Sequence, residues 1–238
     1  RVLAVASYKD TDLAFADNGV YLRSYEGPWL KASSIRTHQA VVVQNRGVVF
    51  FDQSGLYVWR GEAIEPLGSW HELTGESLSP IALSVSRKRE IYLIADGVAL
   101  WRSDPSWATW DRLAASVGAT HGTGVAVDGA TVAVASLQGL YVSYDGGRSF
   151  SKRSERRLDD VLLAPDGSFW APLGNARGAL RLKERSMYLV LGDIEVVDIV
   201  WNGNGGMFVG TPDEIRYGAG THETLQRVAR IERASDYY

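Results

Sequence analysis

Short apolar runs, each closed by a turn signal, follow one another along the chain with no stretch of helical period between them. The most regular run opens with glycine and continues with apolar, often aromatic residues. Its copies are Gly19-Val20-Tyr21-Leu22, Gly55-Leu56-Tyr57-Val58, Gly97-Val98-Ala99-Leu100-Trp101, Gly139-Leu140-Tyr141-Val142 and Gly178-Ala179-Leu180-Arg181, with a degenerate sixth at Glu214-Ile215-Arg216-Tyr217. Successive copies start 36, 42, 42, 39 and 36 residues apart. A short strand precedes each: Leu13–Ala16, Val48–Phe51, Ile91–Ala95, Thr131–Ala135, Ser168–Ala171 and Met207–Gly210. The connectors include Asp17-Asn18-Gly19 and Asp96-Gly97, which tolerate positive φ and so make tight hairpins.

Ahead of these lies another strand: Val2–Ala6, Ala40–Val43, Ile81–Val85, Gly124–Val127, Val161–Ala164 and Val197–Trp201. Its more continuous apolar character predicts burial on both faces. A mixed strand follows the glycine run, as in Trp29–Ala32, Trp110–Leu113, Phe150–Arg153 and Thr224–Val228. Four strands per period of roughly 40 residues predict an all-β fold, a six-bladed β-propeller of four-stranded antiparallel blades. A sandwich needs no such period, a parallel β-helix has shorter coils, and five or seven blades fit the spacing less well. The expected blades run approximately 1–34, 35–75, 76–116, 117–156, 157–193 and 194–231, as one domain, with a tail at 232–238. Gly203-Asn204-Gly205-Gly206 reads as a hairpin turn, not a phosphate loop, because no helix follows.

Composition narrows the class of function. With 238 residues and 45% hydrophobic content the chain can build a core without staples. It has no cysteine, which excludes thiol catalysis and disulfides. The net charge of −3 and the lack of a basic stripe give no reason to expect nucleic acid. No apolar run approaches the ~20 residues of a membrane span. The chain opens on Arg1 rather than Met, the expectation for a processed or trimmed N-terminus, and a removed signal peptide would fit but is not visible. An extracytoplasmic location, periplasmic or secreted, is the expectation.

The segment Ser143-Tyr144-Asp145-Gly146-Gly147-Arg148-Ser149-Phe150 meets every position of the pattern Ser-x-Asp-x-Gly-x-(Ser/Thr)-(Trp/Phe). It resembles the Asp-box of bacterial-neuraminidase-repeat propellers, with Ser143, Asp145, Gly147, Ser149 and Phe150 as the pattern residues. Eroded versions are Ser24-Tyr25-Glu26-Gly27-Pro28-Trp29 and Ser103-Asp104-Pro105 with Thr109-Trp110. The resemblance implies a structural hairpin remote from any functional face. The short blades are most similar to the compact photosystem II assembly-factor-like propellers, which implies a role in holding other proteins. The chain does not resemble a sialidase closely: the Arg-Ile-Pro signature is missing, and neither Ile35-Arg36-Thr37 nor Arg230-Ile231-Glu232 replaces it.

Function is then expected on the interblade loops and on the turns between second and third strands. The binding-face candidates are Arg36, His38, Trp70, His71, Glu72, His121, Arg156, Arg157 and Arg177. Asp159 and Asp160 share those loops, and Asp17, Asn18, Asp52, Asn175, Asp213 and Glu214 occupy the short turns. Trp70 lies in the longest interblade loop, Gly68–Ser79, where an exposed aromatic could anchor a partner. Imidazoles at His38, His71 and His121 are the only metal candidates. Nothing in their spacing enforces convergence, so no metal and no cofactor is assigned. The expected function is a non-catalytic protein-binding, scaffold or assembly propeller in a larger extracytoplasmic complex, its partner another protein. An enzyme (glycan-processing, lyase or lactonase type) would need two or more converging carboxylates with perturbed pKa values. A lectin-like propeller binding glycan would need similar pockets repeated between blades.

Overall fold

The structure is a computed structural model. It describes residues 2–97, 99–174, 176–201, 206–218 and 225–230. The chain is a six-bladed β-propeller: six four-stranded sheets, each an antiparallel meander in chain order. It divides into two compact units of three blades, Arg1–Val117 and Gly118–Tyr238.

In the first unit, blade 1 holds β1 (Val2–Tyr8), β2 (Thr11–Ala16), β3 (Gly19–Ser24) and β4 (Leu30–Ser33). Blade 2 holds β5 (Ala40–Val43), β6 (Gly47–Phe51), β7 (Gly55–Trp59) and β8 (Ile64–Ser69), followed by the helix α1 (Trp70–Thr74). Blade 3 holds β9 (Pro80–Val85), β10 (Ile91–Ala95), β11 (Ala99–Ser103) and β12 (Trp110–Ala114). In the second unit, blade 4 holds β13 (Gly122–Asp128), β14 (Thr131–Ser136), β15 (Gly139–Ser143) and β16 (Ser151–Ser154). Blade 5 holds β17 (Leu162–Leu163), β18 (Phe169–Pro172), β19 (Ala179–Lys183) and β20 (Ser186–Val190). Blade 6 holds β21 (Asp198–Trp201), β22 (Met207–Gly210), β23 (Glu214–Gly218) and β24 (Gln226–Arg230). The tail at 232–238 and the turn residues 203–205 lie outside the described residues.

Core packing runs from blade to blade. Leu13 and Phe15 of blade 1 join Val48, Phe50 and Trp59 of blade 2. Val49 and Leu56 of blade 2 join Leu83, Leu93 and Trp101 of blade 3. In the second unit Leu140 and Val142 meet Phe169 and Leu180, while Trp170 and Val190 meet Ile199 and Val209. A single blade cannot cover both its faces, so within each unit neighbouring blades bury their apolar side chains against one another.

One expectation holds only in part. The strands most evenly buried on both faces are second strands such as β6, β10 and β14. Among first strands β13 is buried on both faces from Gly124 to Val127, whereas in blades 1, 2 and 6 one face is uncovered: Val5, Val42 and Val200 are exposed. A second correction is α1, which forms inside the segment Gly68–Ser79 expected as a loop. Ser69 caps it and Glu72 returns the bond to the cap backbone. The pattern Ser69-x-x-Glu72 is a capping box, legible in the sequence.

The recurrent glycine has a packing reason. Third and fourth strands shift register at Val20/Tyr21, Leu56/Tyr57, Leu100/Trp101, Leu140/Tyr141 and Ile215/Arg216, in five of the six blades. At this bulge the outer strand crowds the start of the third. A Cβ on Gly19 would lie 2.0 Å from the Ser33 carbonyl oxygen, and one on Gly139 would lie 1.9 Å from that of Ser154. Only glycine admits such an approach.

Candidate functional site

Two classes of site grow from the blade plan. In blades 3 and 4 the hairpins between third and fourth strands are closed hydrogen-bond systems. Asp145 Oδ1 accepts from the Arg148 and Ser149 N–H groups, both at 3.0 Å, and from Ser143 Oγ at 2.7 Å. Asp145 Oδ2 accepts from Ser149 Oγ at 2.6 Å, and the Gly147 N–H donates to Ser143 Oγ at 2.8 Å. Hydrogen bonds from the Ser149 and Ser143 hydroxyls, then from backbone N–H groups, hold the Asp145 carboxyl far below the usual range. Asp104 of blade 3 repeats the scheme, accepting from Ala108 and Thr109 N–H at 2.8 and 3.0 Å and from the Ser106 hydroxyl. The Ser106 hydroxyl and the backbone donors lower it to about 2. Every oxygen is occupied by a local donor, which suits a turn brace.

The opposite connections are more open. In the first unit Ser34, Arg36, His38, Phe51, Asp52 and Gln53 line a cleft of about 300 Å³. Asp52 is committed to its turn, accepting from Ser54 and Gly55 N–H. His38 lies edge-on to Phe51, its Nε2 3.0 Å from the Ile81 carbonyl oxygen, so that nitrogen donates. Arg36 is exposed and has no ion-pair or hydrogen-bond partner among the described residues. In the second unit Arg177, Asp193, Glu195, Thr211, Asp213 and Glu214 line a larger cleft of about 710 Å³. Glu214 pairs with Arg216 Nε at 2.5 Å. Arg177, Asp193 and Glu195 carry no ion pair among the described residues. Of the candidates read from sequence, the fold thus brings Arg36 to one cleft with His38, and Arg177 to another with Asp213 and Glu214.

Other candidates fare differently. Trp70 is 2% exposed, so it is not on a binding face. Its indole N–H donates to the Asp52 carbonyl oxygen at 2.9 Å, and its ring meets Phe51 and Trp110 edge-on. The first turn of α1 folds the indole onto the blade. Glu72 is committed to the capping box, its carboxylate accepting from the Ser69 N–H and hydroxyl. His71 is exposed on α1, and His121 is exposed with Nδ1 2.9 Å from Thr120 Oγ1. Arg157 lies 3.6 Å from Asp159 Oδ1, and Arg156 is exposed. Among the described residues no group of three His, Cys, Asp or Glu side chains is placed to hold a metal ion. Asn175 lies outside the described residues.

One carboxylate pair stands out that sequence reasoning does not single out. Asp160 precedes β17 and Asp198 opens β21, and each Oδ1 accepts the N–H of the next residue at 2.7 Å. Asp160 keeps part of its surface open but is surrounded by protein. Gly124 makes the room, since a Cβ there would lie 1.9 Å from Asp160 Oδ1. Desolvation raises the Asp160 carboxyl to about 7, and the charges of Asp198 and Asp159 add to the rise. Desolvation also raises Asp198. The signal available in the sequence is an Asp close before an apolar first strand, at a similar place in two successive blades.

No family model matches the chain, and no curated protein sequence matches it. Solved structures do resemble it. The extracellular domain assigned to a hybrid two-component system of B. thetaiotaomicron superposes with a TM-score of 0.72 at 12% identity, over 96% of this chain and 33% of that one. This chain therefore spans about a third of that relative's length. A streptogramin B lyase matches with a TM-score of 0.73 at 10% identity, over 98% of this chain and 83% of that one. YCF48 bound to a D1 peptide matches with a TM-score of 0.57 at 10% identity, over 78% and 66%. These likenesses establish the propeller fold, which both binding proteins and a lyase share. Among the described residues no helix is long and apolar enough to cross a membrane.

Proposed function

We propose that this propeller is a protein-binding scaffold or assembly module of an extracytoplasmic complex, and that its partner docks on the faces bearing Arg36 and Arg177. One observation carries this reading: each open cleft presents an exposed arginine that has no ion-pair partner among the described residues, beside polar rim residues. Arginine is enriched at protein interfaces, and an unpaired guanidinium offers a forked donor to a partner carboxylate with few bonds to break first. The extracellular and peptide-bound propellers among the structural relatives agree with it. In this reading the six blades form one domain, and the turn at Ser143–Phe150 is an Asp-box brace. The test is affinity purification from the native source with the wild-type chain and with an Arg36→Glu, Arg177→Glu double variant. A stoichiometric partner held by the first and lost by the second is expected. Equal recovery by both would sink the reading.

A second reading has its own observation. Asp160 titrates near neutrality beside Asp198, the setting in which one carboxyl serves as acid and a neighbour as base. On this reading the chain is a propeller enzyme of lyase or glycan-processing type. Turnover abolished by Asp160→Asn and by Asp198→Asn, with folding intact, is the expected result. Turnover unaffected by both variants removes the reading.

A further inference from the structure

The outermost strand of a blade exposes unpaired backbone N–H and C=O groups. Natural sheets blunt such edges with charge, proline or a bulge. Five of the six outer strands here carry these devices. β4 has Lys31, β8 has Glu65 and Pro66, β12 has Asp111 and Arg112, β16 has Lys152 and Arg153, and β24 has Arg227. The same five pair with their third strand through a bulge. The exception is β20, Ser186-Met187-Tyr188-Leu189-Val190. It has no charge and no proline, and it pairs with β19 without a register shift from Ala179↔Val190 to Lys183↔Ser186.

β20 is also apolar on both of its faces. Met187, Tyr188 and Leu189 are 37%, 55% and 51% exposed. Alternate residues of a strand point to opposite faces, so Met187 and Leu189 project one way and Tyr188 the other. A flat, uncharged, two-sided apolar edge is what a pairing strand would cover.

The ends of this edge carry opposite charge. At its start stand Arg185 and Arg153 against the single carboxylate of Glu184, so this end is net cationic, and the Arg153 guanidinium donates to the Arg185 carbonyl oxygen at 2.8 Å. Just past its end stand Asp193 and Glu195, both exposed and without ion pairs among the described residues; Arg177 lines the same cleft, and this end is net acidic. An antiparallel partner with the same sequence therefore brings a cationic end to an acidic end at both extremities. With the two-fold on Tyr188, Met187 faces Leu189 of the other copy and Leu189 faces its Met187. We propose that β20 is a self-association edge: two copies of this chain pair β20 to β20, antiparallel, in an isologous dimer.

Sedimentation equilibrium of the 238-residue chain tests it. Dimer is expected at ~100 μM, dissociating on dilution. Leu189→Lys is expected to weaken association at least about tenfold, since it buries a charge at the pairing edge. Arg185→Glu should weaken it as well, and Arg185→Glu with Asp193→Arg should restore it. Because the chain has no cysteine, Tyr188→Cys gives a second readout that does not depend on Leu189→Lys folding. Oxidation should link it into a covalent dimer, whereas Ser151→Cys on the charged edge β16 should stay monomeric. A wild type that is monomeric at that concentration overturns the proposal, even if the edge captures an extended peptide from another protein. A dimer that Leu189→Lys leaves intact and Tyr188→Cys fails to link overturns it equally.

Discussion

Blades 4 and 5 lie side by side in one compact unit, yet they follow different rules. Blade 4 has the crowded glycine at Gly139, the bulge after Leu140, the closed turn around Asp145 and a charged outer strand. Blade 5 keeps a glycine, but a Cβ on Gly178 would lie 3.0 Å from the Val190 carbonyl oxygen, against 1.9 Å for the counterpart in blade 4. Its third and fourth strands pair without a bulge, its outer strand is uncharged, and its first strand shrinks to two residues next to Asp160. The regular blade uses its polar groups on its own turns. The irregular one leaves a raised carboxyl, an arginine without an ion pair among the described residues, and a bare edge. Departures from a structural repeat are where function is expected, because the repeat itself is already explained by folding.

Gly139→Ala against Gly178→Ala is the largest test of that contrast. Both glycines have positive φ, 138° and 103°. The first substitution adds backbone strain and drives a Cβ into Ser154, so a loss of at least about 2 kcal/mol is expected. The second adds strain with a marginal contact and should cost about half as much. Equal losses in urea unfolding would mean that the bulge does not crowd blade 4.

Asp160 gives the next effect. Its carboxyl is raised in the folded state, so between about pH 4 and 7 the native protein binds more protons than the unfolded chain, and stability falls as pH rises through that window. Asp160→Asn keeps an oxygen for the Val161 N–H and removes the charge. It should leave stability near pH 4 little changed and raise it by up to about 3 kcal/mol at about pH 8. Asp145→Ala should behave in the reverse sense. The Asp145 carboxyl is depressed, so its contribution is present above the ordinary carboxylate range and is lost as pH falls below it. A thermal midpoint lower than wild type near neutrality, with the gap narrowing toward about pH 2, is expected. A gap that persists in acid would show that Asp145 acts through packing instead.

Much of this contrast is legible in the sequence, and the reasons are physical. Strand pairs are local, so the glycine runs, the Asp-Gly turns and the Ser143–Phe150 turn report blade count and hairpins directly. Burial is harder to read. An apolar run such as Ala40–Val43 looks the same at an edge as in a centre, and only the sheet order places it at the edge. The place of Trp70 is hidden because a short capped helix, not the loop's composition, sets where the indole points. The raised carboxyl of Asp160 is hidden because it arises from packing against Gly124, a residue of the preceding blade. The bare edge of β20 emerges only from the register, which shows which blade lacks a bulge.

The smallest effect separates the loop ends of the same two blades. In blade 4 the turn before β15 is closed: Gln138 Oε1 accepts from the Thr120 N–H at 3.2 Å, and Ser136 Oγ accepts from the Gln138 N–H at 3.0 Å. In blade 5 the corresponding turn displays Arg177, which gives the fold nothing that the described residues reveal. Gln138→Ala removes an acceptor and should destabilise by about 0.5–1 kcal/mol. Arg177→Ala should change stability by no more than about 0.5 kcal/mol in either direction. If Arg177→Ala proves the more destabilising of the two in urea unfolding, the arginine is a structural brace, and the docking role assigned to its cleft loses its foundation.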